Sequence, residues 1–291
     1  MSAAETAGTP ETGGALLAQA SAALGERRFA DAQFVAVRAR AAAAGERERD
    51  AAEAVIAAAR AAAVPERNAT TEAYHAWYYE TLVWQRTTWC GVPVFKSVSD
   101  LWNYQEIIAA LRPSVIVELG TYVGGSALFF AHVVRSAGLS ARVLTVDVDH
   151  SRVASAARAE PMIEFLEASS VAPEALDRIA ALRRERPGPA FFILDSDHAA
   201  AHVYAELVAL RDRTKEGDVV IVEDSNVNGH PVLPEFGPGP YEALHRYLAE
   251  HPGDYANDAE REAKFGFSFA RDGFLVRRAG ASEGRREPTG G

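Results

Sequence analysis

From about residue 100 onward the chain alternates short apolar runs with longer amphipathic stretches. The runs fall at residues 115–117, 143–146, 163–166, 190–194 and 218–222. They are too short for buried helices, and their β-branched and aromatic content reads as strand. The segments between them are long enough for helical crossovers, a rhythm that builds a parallel sheet. A helix is expected over 100–111 and another over 241–250. Residues 265–270 and 273–277, around an Arg-Asp-Gly turn, are expected to close the sheet as a hairpin. The stretch 100–278 is thus read as a doubly wound α/β domain.

Upstream the pattern changes. Across residues 15–63 Leu16, Leu17, Leu24, Phe29, Ala32, Val35 and Ala39, then Ala51, Ala54, Val55 and Ala58, recur at helical spacing. Gly25 and Gly45 interrupt them, which predicts two or three short helices in an extension spanning 14–70. Such an extension is either a docking and oligomerisation appendage or a cap on the main domain. A connecting segment, 71–99, and the helix after it carry Tyr74, Trp77, Tyr78, Tyr79, Trp84, Trp89, Phe95 and Trp102. Aromatics this dense either pack the core or line a pocket. The ends, 1–13 and 279–291, are small and polar, and disorder is expected there.

Composition narrows the function classes. Nearly half the chain, 48%, is apolar, enough for a sizeable core. A net charge of −10 gives nucleic acid or an anionic membrane no general electrostatic support. Cys90 is the single cysteine, so no intramolecular disulfide forms. Neither a signal peptide nor a membrane span is evident, which makes a cytoplasmic location the default expectation.

The first apolar run ends as Glu118-Leu119-Gly120-Thr121-Tyr122-Val123-Gly124-Gly125-Ser126. A strand, a tight glycine turn and a helix start bring backbone close to a nucleotide-like ligand. The spacing is not that of the dinucleotide fingerprint, and Glu118 is placed to meet a cationic amino-acid group. Both features favour S-adenosylmethionine, with Gly120, Thr121, Gly124 and Ser126 as the loop contacts. Asp147, closing the second run, is the expected ribose ligand, and Ser169, after the third, is placed for adenine. The fourth run ends in Asp195-Ser196-Asp197-His198 and the fifth in Glu223-Asp224. Facing acid pairs on adjacent strands repel unless a cation joins them, and all-oxygen donors favour Mg²⁺, or Ca²⁺ or Mn²⁺, over zinc. Asp195, Glu223 and Asp224 are the expected ligands, with Asp197 competing with Asp195. If a helix begins here, His198 stands one turn from Asp195 as the general base. His202, four residues on, raises a weaker zinc alternative. His230, in the Pro- and Gly-rich loop that follows, is the second base candidate.

Several ordered motifs together resemble a known family. They are Thr88-Trp89-Cys90-Gly91-Val92-Pro93-Val94-Phe95-Lys96, Leu101-Trp102-Asn103-Tyr104-Gln105-Glu106-Ile107-Ile108, the 118–126 loop, Leu194-Asp195-Ser196-Asp197-His198, the 222–231 segment and the Gly237-Pro238-Gly239-Pro240 loop. The chain resembles the cephalosporin hydroxylase and rhamnosyl O-methyltransferase family of bacterial secondary metabolism over roughly 74–277. The resemblance implies a Rossmann-like S-adenosylmethionine methyltransferase fold with a mostly parallel seven-stranded sheet, Mg²⁺ dependence and a homo-oligomeric assembly. Assembly through the N-terminal helices is one expectation. In the wider class of metal-dependent sugar and catechol O-methyltransferases, Asp195, Glu223 and Asp224 match the metal ligands and His198 the base position. The expected activity is O-methylation of a small natural product, most readily a sugar or glycosylated metabolite. The alternatives are a cephalosporin 7-hydroxylation or methoxylation component working with a partner protein, and a non-catalytic accessory subunit.

Overall fold

The computed structural model describes residues 11–280. The expected terminal tails lie almost wholly outside that range. The chain divides into two units, residues 1–65 and 66–291.

The first unit contains three helices, α1 (Gly13–Gly25), α2 (Phe29–Ala41) and α3 (Glu46–Ala62). Their interior is a stack of three layers, each taking one residue from each helix: Leu16, Ala39 and Ala52, then Ala20, Ala36 and Ile56, then Ala23, Ala32 and Ala59. Alanine at most of these positions lets the backbones approach closely, so the unit forms a real though thin core.

The second unit opens with α4 (Ala69–Glu80), whose N-cap Asn68 accepts from the backbone N–H groups of Thr70 and Thr71. A small hairpin, β1 (Thr88–Trp89) and β2 (Val92–Pro93), leads to α5 (Val98–Leu111). Then comes the alternating domain: β3 (Val115–Leu119), α6 (Gly125–Ser136), β4 (Arg142–Asp147), α7 (Ser155–Arg158), β5 (Ile163–Glu167), α8 (Pro173–Glu185), β6 (Ala190–Leu194), α9 (Ala200–Leu210) and β7 (Val219–Val222). After a long loop follow α10 (Pro240–Glu250), β8 (Tyr255–Asn257), α11 (Ala259–Ala263) and β9 (Phe274–Arg277). The sheet has seven strands in the order β5-β4-β3-β6-β7-β9-β8. β3 to β7 run parallel, and β9 and β8 are antiparallel to their neighbours. The fold is the expected one.

Period-two alternation sorts the strands onto two cores. Ile116, Phe191, Ile193 and Ile221 pack on one face with Tyr104 and Phe130. Val115, Val117, Phe192, Leu194 and Val222 pack on the other with Leu207 and Tyr247. Strand order reverses between β4 and β6 on either side of β3, and in an open sheet the crevice beyond the strand ends at that point is where ligands bind.

The expected closing hairpin is corrected in one half. β9 forms, but its partner is β8, and residues 265–270 are not a strand. Their backbone bonds go elsewhere: Phe269 N–H donates to Asp100 Oδ2 at 2.9 Å, and its carbonyl accepts from Asn226 N–H at 3.1 Å. Phe267 and Phe269 bury against His75, Tyr78 and Tyr79 of α4, an aromatic anchor that competes successfully with pairing. Among the described residues no helix is long and apolar enough to cross a membrane.

Gly125 shows how tightly the β1–β2 hairpin is applied to the glycine turn. A Cβ there would lie 1.9 Å from the Pro93 carbonyl oxygen, and 2.8 Å from its carbon. Gly125→Ala must push backbone from backbone, and a loss of about 2–4 kcal/mol in urea unfolding is expected. A loss below about 0.5 kcal/mol would show that the hairpin is not held there.

Candidate active site

The carboxyl ends of β3, β4, β6 and β7 open into a cavity of about 1080 Å³. That exceeds what one small ligand needs and suits a nucleoside-sized molecule with a second substrate beside it. The glycine turn lies at one side. Gly120 has φ +105°, and a Cβ on it would come within 1.9 Å of the Asp195 carbonyl oxygen. Only glycine lets β3 and β6 release their chains so close together. Asp147 Oδ2 accepts from the backbone N–H groups of Thr121 and Tyr122 at 2.8 and 2.9 Å. The turn is thereby stiffened by the residue expected to take the ribose. Phe95, Tyr122 and Asp224 all line the cavity and all hold left-handed φ values, +56°, +47° and +50°. Such conformations are costly for non-glycine residues and concentrate where a site demands a fixed direction.

At the other side stands the acid cluster. Asp195, His198 and Asp224 place one ligand atom each within 4.8 Å of one another. His198 Nε2 is 2.6 Å from Asp224 Oδ2 and 3.7 Å from Asp195 Oδ1. Asp195 and Asp224 offer the oxygen donors that Mg²⁺ prefers and open onto the cavity, so the residues fit a bound divalent cation. Behind them Lys96 is buried, with its Nζ 2.6 Å from Asp195 Oδ2 and 2.8 Å from Glu223 Oε1. Tyr104 Oη donates to that same Glu223 oxygen at 2.7 Å.

The electrostatics follow from crowding. Burial pushes the Asp195 carboxyl up to about 7, resisted by Lys96 and reinforced by Glu223 and Asp224. Burial also acts to lower His198, but Asp224 more than reverses this and lifts the imidazole to about 9. For Lys96 burial again opposes the charge, and Asp195, Glu223 and Glu118 overcome it, so the ammonium ends above lysine's ordinary value. At neutral pH the cluster therefore holds two cations, Lys96 and His198, among its acids.

The structure brings several of the expected site residues together. Gly120, Thr121, Ser126, Asp147, Ser169, Asp195, Asp197, His198 and Asp224 all line the cavity. Others do not. Glu118 points into the interior, fully buried, with Oε2 accepting from Thr145 Oγ1 and Oε1 left without a partner. Its period-two position puts it on the face of the sheet that carries Ile116. Gly124 lies outside the cavity wall and serves as the left-handed N-cap of α6. Glu223 turns inward to Lys96 and Tyr104 and does not line the cavity. His230 is likewise withdrawn, 3.0 Å from Glu242 Oε1 and stacked on Tyr241 at 3.6 Å. His198 sits in the loop before α9, not in a helix, so its approach to Asp195 comes from loop geometry. Asp197 accepts from Ala199 N–H at 2.9 Å, a local turn bond at the rim. His202 joins Ser170 Oγ at 2.9 Å and Glu206 Oε1 at 3.4 Å, and it is no part of the acid cluster.

Three features were not read from the sequence. Lys96 lay inside a quoted motif without a role, yet lysine stands only at Lys96, Lys215 and Lys264 in a chain that otherwise uses arginine. A rare lysine after Val94 and Phe95 was the available signal. Tyr104, on the inner face of α5, had none beyond its helical spacing. The aromatic cluster divides between both expectations: Tyr78 packs in the core, whereas Tyr79, Trp84 and Phe95 line the cavity. His75, buried and pushed down to about 4 chiefly by that burial, accepts from Asn226 Nδ2 at 2.9 Å and braces the loop after β7.

The chain is similar to known proteins. The family described as Rhamnosyl O-methyltransferase/CmcI matches residues 81–278. The rhamnosyl O-methyltransferase of Mycobacterium tuberculosis is 53% identical over 210 residues, covering 72% of this chain and 86% of that protein. That of Mycobacterium leprae is 52% identical over 211 residues, covering 72% and 92%. Among solved structures, CmcI with magnesium and S-adenosylmethionine superposes with a TM-score of 0.55 at 24% identity, over 67% of this chain and 78% of that one. CmcI with S-adenosylhomocysteine gives 0.52 at 25%, over 66% and 83%. The structural likeness carries the fold. The family match begins after α4, so the three-helix unit lies outside it.

The His198–Asp224 pair has a pH signature. Because the folded imidazole titrates near 9 instead of 6.5, the pair contributes fully below about pH 6.5 and is lost as pH rises through 9. NMR titration of the metal-free protein is expected to place His198 near 9, and Asp224→Asn to bring it down by at least about one unit. A value that stays near 9 in Asp224→Asn would remove Asp224 as the cause.

Proposed function

The chain belongs to the Rhamnosyl O-methyltransferase/CmcI family and is an S-adenosylmethionine-dependent O-methyltransferase, and we propose that it methylates a sugar hydroxyl with Mg²⁺ at the acid cluster. The observation that carries the reading is a single cavity with the glycine turn and Asp147 at one side and Asp195, His198 and Asp224 at the other. The rhamnosyl O-methyltransferase names of relatives more than half identical support a sugar acceptor. A glycosylated secondary metabolite is the natural form of such an acceptor.

S-adenosylmethionine supplies a sulfonium methyl already activated toward oxygen, and Mg²⁺ supplies positive charge that stabilises an ionised hydroxyl. The chain's own residues do the rest. The 120–126 turn brings backbone against the nucleoside, and Asp147 keeps that turn rigid while its carboxylate borders the cavity. Asp195 and Asp224 hold the cation. His198 serves as the proton acceptor for the hydroxyl in its neutral form, which is reached when Asp224 gives up its hold on the imidazole proton, as it would on taking the cation. Tyr79 and Trp84, stacked with centroids 5.3 Å apart, line the cavity together with Phe95 as an aromatic wall. A wall of this kind packs against the apolar face of a sugar and keeps water from the exchange. Orientation is the main contribution, because the donor needs no further activation.

Rhamnosides and other 6-deoxyhexosides incubated with methyl-labelled S-adenosylmethionine test the reading. Transfer to a ring hydroxyl, lost on adding EDTA and restored by Mg²⁺, is expected. Asp224→Ala should lower kcat/KM by at least about a hundredfold and leave S-adenosylhomocysteine affinity within a few-fold. Full turnover in EDTA would exclude the metal, and transfer only to non-sugar acceptors would exclude the substrate class.

A further inference from the structure

Lys96 is the feature that the reaction does not need and the fold does not explain. Its side chain is 2% exposed, and it reaches two carboxylates carried by different strands. A buried ammonium is expensive, and leucine or methionine would fill the same volume without that cost. The contacts are also selective. Lys96 takes Oδ2 of Asp195, whereas Asp195 Oδ1 lies toward His198, on the cavity side. On Glu223, Lys96 and Tyr104 converge on one oxygen, Oε1. The segment leading to Lys96 is fixed by Pro93 against Gly125 and by the left-handed Phe95. The ammonium is thereby held against these two carboxylates.

We propose that Lys96 is a resident counter-cation of the acid cluster, a positioning residue that aligns Asp195 and Glu223 and holds the cluster's affinity for a divalent cation down. The proposal rests on the reading of Asp195 and Asp224 as the cation site. Two effects oppose each other if Lys96 is removed. Loss of an orienting partner weakens metal binding by about 10–100-fold. Loss of a fixed positive charge one carboxylate away strengthens it, and this repulsion is little screened because the ammonium is buried. Charge wins here, because the Asp195 backbone stays fixed by its N–H bond to the Leu119 carbonyl and Tyr104 remains to orient Glu223. Lys96 then keeps the acids together when no metal is bound and leaves the metal exchangeable.

Calorimetric titration of metal-free protein with Mg²⁺ compares the wild type with Lys96→Met and Lys96→Arg. Lys96→Met is expected to bind at least about tenfold tighter than wild type, and Lys96→Arg within about threefold. Melting curves give an independent reading: without metal Lys96→Met melts lower than wild type, and Mg²⁺ raises its Tm by more. Should Lys96→Met fold only with Mg²⁺ present, its affinity is read by chelator competition; should it not accumulate at all, Lys96→Gln takes its place. Equal or weaker binding by the neutral variant, with wild type still binding, overturns the role of Lys96 alone. Absence of binding by both proteins overturns the cation site and this proposal with it.

Discussion

Negative charge packed at the ends of adjacent strands is the constraint around which this molecule is arranged. Glu118, Asp195, Glu223 and Asp224 end β3, β6 and the stretch just past β7, where parallel pairing forces neighbouring strand ends together. Left alone, these acids would protonate or part. Lys96 and His198 oppose both, one from beneath and one from the cavity side. Much of the surrounding structure serves that balance. α5 brings Tyr104 to Glu223, its preceding loop brings Lys96, and the β1–β2 hairpin clamps that loop onto Gly125. Asp100, on the same helix, is pushed up to about 8 by burial and by Glu223, and it spends its Oδ2 on the backbone of Phe269.

The same balance makes the centre responsive. An imidazole held at about 9 by one carboxylate loses its proton readily when that carboxylate is engaged elsewhere. On the proposed reading, a cation taken by Asp224 would leave His198 neutral, so the two states would be linked. Tyr79, Trp84 and Phe95 line the same cavity and supply shape where the acids supply charge.

Much of this was legible in the sequence because it rests on patterns that survive without tertiary knowledge. Five apolar runs fixed the parallel strands, and acids placed directly after them marked the cleft, since strand ends in such a sheet always face it. Side-chain direction was less accessible. Glu118 and Glu223 follow buried strands just as Asp147 and Asp195 do, yet alternation and a buried lysine turned them inward. His230 was drawn off by Tyr241 and Glu242, partners separated from it by a loop whose path no local signal reveals. The 265–270 segment reads as strand by composition, and only the aromatic cluster of α4 explains why it is none. The alanine-rich extension, by contrast, was read correctly as helical, although its layered core gives no sign of what it contacts.

The central claim is that one cavity holds the nucleoside at the glycine turn and a divalent cation at the acid cluster. Crystals grown with S-adenosylhomocysteine and Mn²⁺, measured at the manganese absorption edge, test it most directly. The expected result is an anomalous peak between Asp195 and Asp224, with the ribose beside Asp147 in the same cavity. No peak there, manganese bound at another place, or a nucleoside seated away from the 120–126 turn would contradict it.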